Sequence, residues 1–354
     1  MSSKPWNRIC DNIVKKIKIE DAIGTLLAHD LTEIRPGSFK GAVFNAGHKI
    51  SEKDLFHFRR LGKKYLFVLD LNDNQIHENN AAIELAIALQ GRGIDFEPRP
   101  SEGKIQLKTT HYGLFKTNPE ILFELNMIPE IMCTSIHNNS VVDKDRTVAA
   151  VRIIPLFIDI SLLDRVISLI RKHNPVFEVK SFKFPKVRLL ITGNEIYDGL
   201  IKDGFKNIIQ TKLKHYAINL LETVILPDDS KQISNVIKTF LNTGTDLIIT
   251  TGGMSVDPDD VTRQGVRCAG ANISYYGAAV TPGAMFQLAY FGNTPIMSIP
   301  ACALYHKITI LDLILPRVLA GEKPNDEDLA RLAHGGMCMN CKQCLYPLCP
   351  FGKV

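Results

Sequence analysis

The chain has 354 residues, of which 45% are apolar and 22% charged, and a net charge of +5. That length holds roughly two or three domains with ample core, and the scattered basic residues leave no nucleic-acid footprint. Nothing at the start resembles a signal peptide and no apolar run reaches membrane length, so the cytoplasm is the expected place, without nucleic-acid or membrane partners.

Residues 1–80 read as a small α/β module. Ser51-Glu52-Lys53-Asp54 is a capping-box start for a helix through Leu61, and Leu66 to Leu71 reads as a strand. His29, His48 and His57 share no ligand spacing and read as structural or solvated. Residues 81–160 read as a mainly β module. Lys104 to Thr109 alternates apolar and polar, as a half-buried strand does, and Thr147 to Ile158 is β-prone, with Pro155 marking an edge or bulge. Within it, Asn118-Pro119 combines an N-cap residue with Pro at N1 and opens a short helix.

The third region, 161–322, begins with an amphipathic helix from Ser161 to Lys172. Lys180, Lys183, Lys186 and Arg188 follow, as a solvated face or as a means of concentrating an anion. From there strands and helices alternate. Val187 to Thr192 ends in Gly193-Asn194-Glu195, a helix from about Phe205 to Tyr216 leads to the strand Leu220 to Ile225, and Asp228-Asp229-Ser230 starts the next helix. Asp246 to Asp260 then reads DLIITTGGMSVDPDD: an apolar strand, a turn at Gly252-Gly253, Ser255, and acids where a helix begins. Alternation of this kind predicts an α/β fold with a parallel sheet, and glycine turns opening helices at its carboxyl edge suit a phosphate. Glu195 and Asp260 at the same rim suit Mg²⁺, which prefers carboxylate oxygens. No G-x-G-x-x-G follows any strand, which disfavours a dinucleotide-dependent oxidoreductase.

Ile191-Thr192-Gly193-Asn194-Glu195, Asp246 to Val256, Asp260, Thr281-Pro282-Gly283 and Ile299-Pro300, in this order, resemble the molybdopterin-binding domain of the molybdopterin molybdenumtransferase (MoeA/gephyrin) family over roughly residues 186–322. The resemblance implies a pterin ligand with a phosphate, bound by Thr192, Gly193, Gly252, Gly253, Ser255, Pro282, Gly283 and Pro300, with Glu195 and Asp260 as the catalytic, Mg²⁺-holding pair. It also implies a homodimer and a place in molybdenum-cofactor biosynthesis or metal insertion, serving a molybdenum or tungsten enzyme. If the chain is an enzyme, it is expected to be a molybdopterin molybdenumtransferase. The alternative is a non-catalytic cofactor carrier or redox-responsive regulator. Two departures from the family favour that alternative: Arg35 to Gly41 replaces a longer motif bearing asparagine and aspartate, and the lysines flanking the family's Pro-Gly turn are absent, whereas Glu195 with Asp260 favours the enzyme; Asp257 also stands where the family has Gly.

The tail, 323–354, contains Cys338, Cys341, Cys344 and Cys349, the last followed by Pro350. Three cysteines at three-residue intervals and a fourth before proline resemble bacterial ferredoxin ligation. A reducing compartment argues against disulfides, and between an iron–sulfur cluster and Zn²⁺ the ligand set alone does not decide.

Overall fold

Six consecutive residues from Val187 to Thr192 and five from Leu247 to Thr251 are buried without a break. Only strands covered on both faces can hide such runs. The structure is a computed structural model that describes residues 14–35, 37–69, 74–101, 103–183, 185–254 and 261–353. It divides into two compact units, the first running to residue 179 except for residues 112–114 and 137–142, which join the second.

In the first unit, Val14–Lys18 pairs antiparallel with Tyr65–Leu69, and Leu31–Arg35 with Phe39–Phe44. Ile19, Leu27, Ile50, Phe58, Leu66 and Val68 form their shared core. The helix here is Asp54–Arg60. Its first carboxylate accepts the Ser51 amide and hydroxyl at 2.9 and 2.7 Å and lies 2.9 Å from His48 Nε2, so that histidine is structural. A four-stranded antiparallel sheet follows, in the order Ile94–Phe96, Lys104–Thr109, Thr147–Ile153, Ile131–Ser135. Helices Glu78–Leu89 and Ile160–Lys172 bury apolar stripes, the second through Leu163, Val166, Ile167 and Ile170. Asn118 Oδ1 caps helix Pro119–Asn126 by accepting from the Glu120 and Ile121 amides.

The second unit is built on six strands: β1 (Val187–Thr192), β2 (Leu220–Leu226), β3 (Leu247–Thr251), β4 (Asn272–Tyr276), β5 (Gln287–Phe291) and β6 (Thr294–Ile299). Their order is β2-β1-β3-β6-β5-β4. The first four in that order are parallel, and β5 and β4 extend the sheet antiparallel. The α/β architecture expected from the alternation is present, with an antiparallel flap added to its parallel sheet.

Among the described residues, six α-helices accompany these strands: α1 (Asn194–Tyr197), α2 (Phe205–Lys214), α3 (Ser230–Asn242), α4 (Thr262–Cys268), α5 (Ile310–Leu319) and α6 (Asp326–Arg331). The pleat decides which face each covers, because successive strand residues point to opposite sides. Leu189, Ile191, Ile249 and Met297 pack with Phe205, Ile209 and Leu213 of α2 and with Ile310 and Ile314 of α5. Leu190, Ile248 and Ile296 pack on the other face with Ile233, Ile237 and Phe240 of α3 and Val266 of α4. Among the described residues no helix is long and apolar enough to cross a membrane. Arg188 does not belong to a solvated basic face. It is buried, donates to Glu222 at 3.0 Å and to Thr245, and lies over the Phe240 ring.

α2 and α5 are joined by a charge pair taken largely out of water. Lys212 Nζ donates to both Asp312 carboxylate oxygens at 2.6 and 2.8 Å and to the Lys307 carbonyl at 2.7 Å, while Asp312 also caps α5 by accepting the Thr309 amide. Removing one partner of such a pair leaves an uncompensated buried charge. Lys212→Met is therefore expected to destabilise the unit by about 3 kcal/mol, read as a lower urea midpoint by circular dichroism, and an unchanged midpoint overturns this assignment.

Candidate functional site

The parallel strands end at Thr192, Leu226, Thr251 and Ile299, all on one edge of the sheet. Gln287 pairs with both Ser298 and Tyr276, which brings the loop between β4 and β5 to that edge as well. The turns at 193–195, 227–229, 252–253, 282–283 and 300–303 therefore gather there.

Thr192 is at the centre. Its hydroxyl donates to the Thr251 carbonyl at 3.1 Å and lies 2.7 Å from the Thr262 hydroxyl. Gly252 and Gly253 leave β3 with φ of 85° and 53°. A Cβ on Gly252 would overlap the Thr192 carbonyl oxygen, and one on Gly253 would come within 2.6 Å of the Thr262 hydroxyl. The neighbouring strand, not the approach of a ligand, is thus what requires glycine here.

Gly193 is buried at φ 144° and caps α1. Glu195 is exposed, with its carboxylate curled back over Gly193, where a Cβ would meet Glu195 Oε1 at 3.0 Å. Asn194 and Asp228 lock two of the turns together: the Asn194 amide donates to Asp228 Oδ2 and the Asp228 amide to Asn194 Oδ1, both at 3.0 Å. Asp229 is committed to capping α3, and the Gln232 amide, the Gln232 side chain and the Lys231 amide hold its carboxyl below the usual range.

Pro282, Gly283 and Pro300 are buried and face protein. Gly283, at φ 128°, lies where a Cβ would press on Ile310, and the Pro282 carbonyl accepts the Ile310 amide. Burial pushes the Cys302 thiol of the last turn up from its ordinary pKa. Ser255 and Asp260 lie outside the described residues.

Two features of this edge were not evident in the sequence. Thr250, Ser298 and Gln287 form a fully buried polar row across β3, β6 and β5, on the face that carries Ile248 and Ile296. Gln287 Nε2 donates to Ser298 Oγ at 3.4 Å, but Thr250 Oγ1 and Gln287 Oε1 have no hydrogen-bond partner. Each such oxygen costs about 1–3 kcal/mol. A glutamine inside an otherwise apolar strand was the available signal. The second feature is Arg263 in the first turn of α4. Its guanidinium lies 4.3 Å above the Tyr276 ring, and the Tyr276 hydroxyl donates to the Met254 carbonyl at the end of the glycine turn. Among the described residues Arg263 forms no ion pair, and it is exposed.

The tail cysteines Cys338, Cys341, Cys344 and Cys349 stand around one cavity, together with residues 305–308. All described cysteines are free thiols. No three His, Cys, Asp or Glu side chains among the described residues gather closely enough to hold a metal ion.

The packing at Gly252 can be checked without any ligand. Gly244 also has a positive φ, 74°, but its Cβ position is open. Gly244→Ala carries only the backbone cost of about 1–2 kcal/mol. Gly252→Ala must also displace Thr192, so its thermal midpoint is expected to fall further, at about 2–4 °C per additional kcal/mol. Equal midpoints for the two variants exclude the close approach.

A family model described as a probable molybdopterin binding domain matches residues 188–320, and one described as a domain of unknown function matches residues 16–70. A molybdopterin molybdenumtransferase of Haemophilus influenzae is 26% identical over 159 residues, 42% of this chain and 38% of its own length. A CinA-like protein of Fervidobacterium nodosum is 36% identical over 81 residues, 23% of this chain and 20% of its own. The chain thus spans less than half the length of either relative. Among solved structures, the molybdopterin biosynthesis enzyme MoaB of Thermus thermophilus is 18% identical, covering 40% of this chain and 99% of that one at a TM-score of 0.32. The molybdopterin biosynthesis Mog protein of Mycobacterium ulcerans is 19% identical, covering 38% and 93% at a TM-score of 0.32. By the family match, residues 188–320 of this chain are a molybdopterin-binding domain related to proteins of molybdenum-cofactor biosynthesis.

Proposed function

We propose that the carboxyl edge of this sheet binds molybdopterin or its adenylylated form, in the biosynthesis of the molybdenum cofactor or the insertion of its metal. The observation that carries this reading is the gathering of the turns after β1, β2, β3 and β6 at one carboxyl edge, inside the stretch that the molybdopterin-binding family model matches.

The phosphate end fits the turn at Gly252-Gly253 and Ser255. Arg263, held in place by Tyr276, adds the cation that the absent family lysines would otherwise provide. Glu195, exposed at the same edge, together with Asp260 fits Mg²⁺ through carboxylate oxygens. Pro282, Gly283 and Pro300 shape the wall by packing on Ile310 and the core, so their part in the site is indirect. A carrier needs only these binding groups. The second reading, a molybdopterin molybdenumtransferase, is favoured by Glu195, a carboxylate placed at the edge that is not committed to a cap. In either version the family resemblance points to a homodimer and to a molybdenum or tungsten enzyme as recipient. A thiolate-held metal centre in the tail is a separate reading that does not depend on pterin binding.

The test is isolation of the full chain without oxygen, followed by release and fluorescent detection of any bound pterin and titration with molybdopterin. The native protein is expected to bind. Arg263→Met is expected to weaken binding about tenfold or more, since a hydrogen bond to a charged group contributes ~1.5–3 kcal/mol. Glu195→Gln is expected to weaken it only when Mg²⁺ is present. Absence of binding by the native chain sinks the proposal, and unchanged affinity in Arg263→Met removes that residue from the site. Light scattering is expected to give the mass of a dimer, and a monomer at every concentration excludes that assembly.

A further inference from the structure

The C-terminal segment is fastened to the molybdopterin-binding domain at both ends. At its start, the Thr281 amide donates to the Gly336 carbonyl and the Cys338 amide to the Thr281 carbonyl, both at 2.8 Å. At its end, the Gly352 amide donates to the Gly335 carbonyl at 2.9 Å, and Phe351 is buried in the core that includes Leu313 and Ile314. Tyr346 ties down the middle, its hydroxyl donating to the Asp312 carbonyl at 3.3 Å. The segment is therefore held by the domain, whatever its cysteines bind.

Between these fastenings all four tail cysteines line one cavity of about 210 Å³, which residues 305–308 also line. The remaining described cysteines, Cys133, Cys268 and Cys302, do not line it. We propose that this cavity holds a polynuclear iron–sulfur cluster ligated by Cys338, Cys341, Cys344 and Cys349, each thiol giving up its proton to solvent on ligation.

Spacing favours a cluster over a single zinc ion. Cys338, Cys341 and Cys344 at three-residue intervals, with Cys349 before Pro350, follow the order of bacterial ferredoxin ligands, and all four line the one cavity. Four thiolates make either centre anionic, and Lys307 and Lys342 line the same cavity, so the surroundings suit such a charge. None of this depends on the pterin reading.

The test uses the full-length chain, reconstituted without oxygen from equal ferric and ferrous iron with sulfide, desalted, and analysed for iron, acid-labile sulfide and zinc. About four iron and four sulfide per chain are expected for a cubane, with a broad visible absorbance that bleaches on reduction and an electron paramagnetic resonance signal in the reduced protein. Cys341→Ser and Cys344→Ser, at exposed positions, are expected to lose most of the iron while keeping the native circular dichroism, and Cys268→Ser to keep it. One zinc retained per chain in place of iron overturns the proposal, as does reconstituted native protein that holds no metal. Iron retained undiminished in both tail variants overturns it too.

Discussion

The edge of the sheet depends on how closely the ends of β1 and β3 approach each other. In parallel register Ile191 faces Thr251, so the chain leaving β3 must pass directly beside Thr192. It does so by turning at Gly252 with φ 85°, with the Thr192 carbonyl in the space where a side chain would begin. The Thr192 hydroxyl then bonds the Thr251 carbonyl and meets the Thr262 hydroxyl, so β1, β3 and α4 are joined at one buried point. Every other group on the edge is placed relative to that junction. Gly193 and Glu195 follow Thr192, Arg263 follows Thr262, and the Asn194–Asp228 exchange carries the constraint on to the turn after β2.

Much of this domain could be read in advance because its strands are buried on both faces, and uninterrupted apolar runs such as Leu189 to Ile191 have few other places to go. The glycine turn was also legible, but its cause was not. Gly252 serves a neighbour that is sixty residues away in the chain, and no local pattern reports which atom fills the space of a missing Cβ. The antiparallel β5 and β4 escaped for a similar reason, since pairing direction is set by tertiary contact. Thr250, Ser298 and Gln287 look like ordinary strand residues until the register lines them up in one buried row. Arg263 carries no signal of its own, because Tyr276, the ring beneath it, belongs to another element.

Charge on the edge is sorted by commitment. Asp229 satisfies the first amides of α3, and Asp228 satisfies Asn194. Arg188, which the sequence grouped with surface lysines, lies behind the sheet, matched by Glu222. Among the described residues, Glu195 and Arg263 stay exposed at the edge, one charge of each sign. Exposed groups of this kind interact weakly while water surrounds them, and strongly once a ligand excludes it. Their contribution to affinity is therefore expected to depend on how completely a bound molecule covers the edge.

The tail changes what that edge is. Thr281 is hydrogen-bonded on both sides by the C-terminal segment, through Gly336 and Cys338, and the next residue, Pro282, accepts the amide that starts α5. Cys338 in the wall of the cysteine-lined cavity is thus hydrogen-bonded to the loop at the carboxyl edge. Tyr346 lines that cavity and bonds the Asp312 carbonyl, in the helix whose Asp312 side chain holds Lys212 of α2. Were both sites occupied as proposed, any coupling between them would run through these bonds and would be reciprocal. The short stretch from Gly336 to Cys338, which carries no apolar core of its own, matters because it is the joint between them.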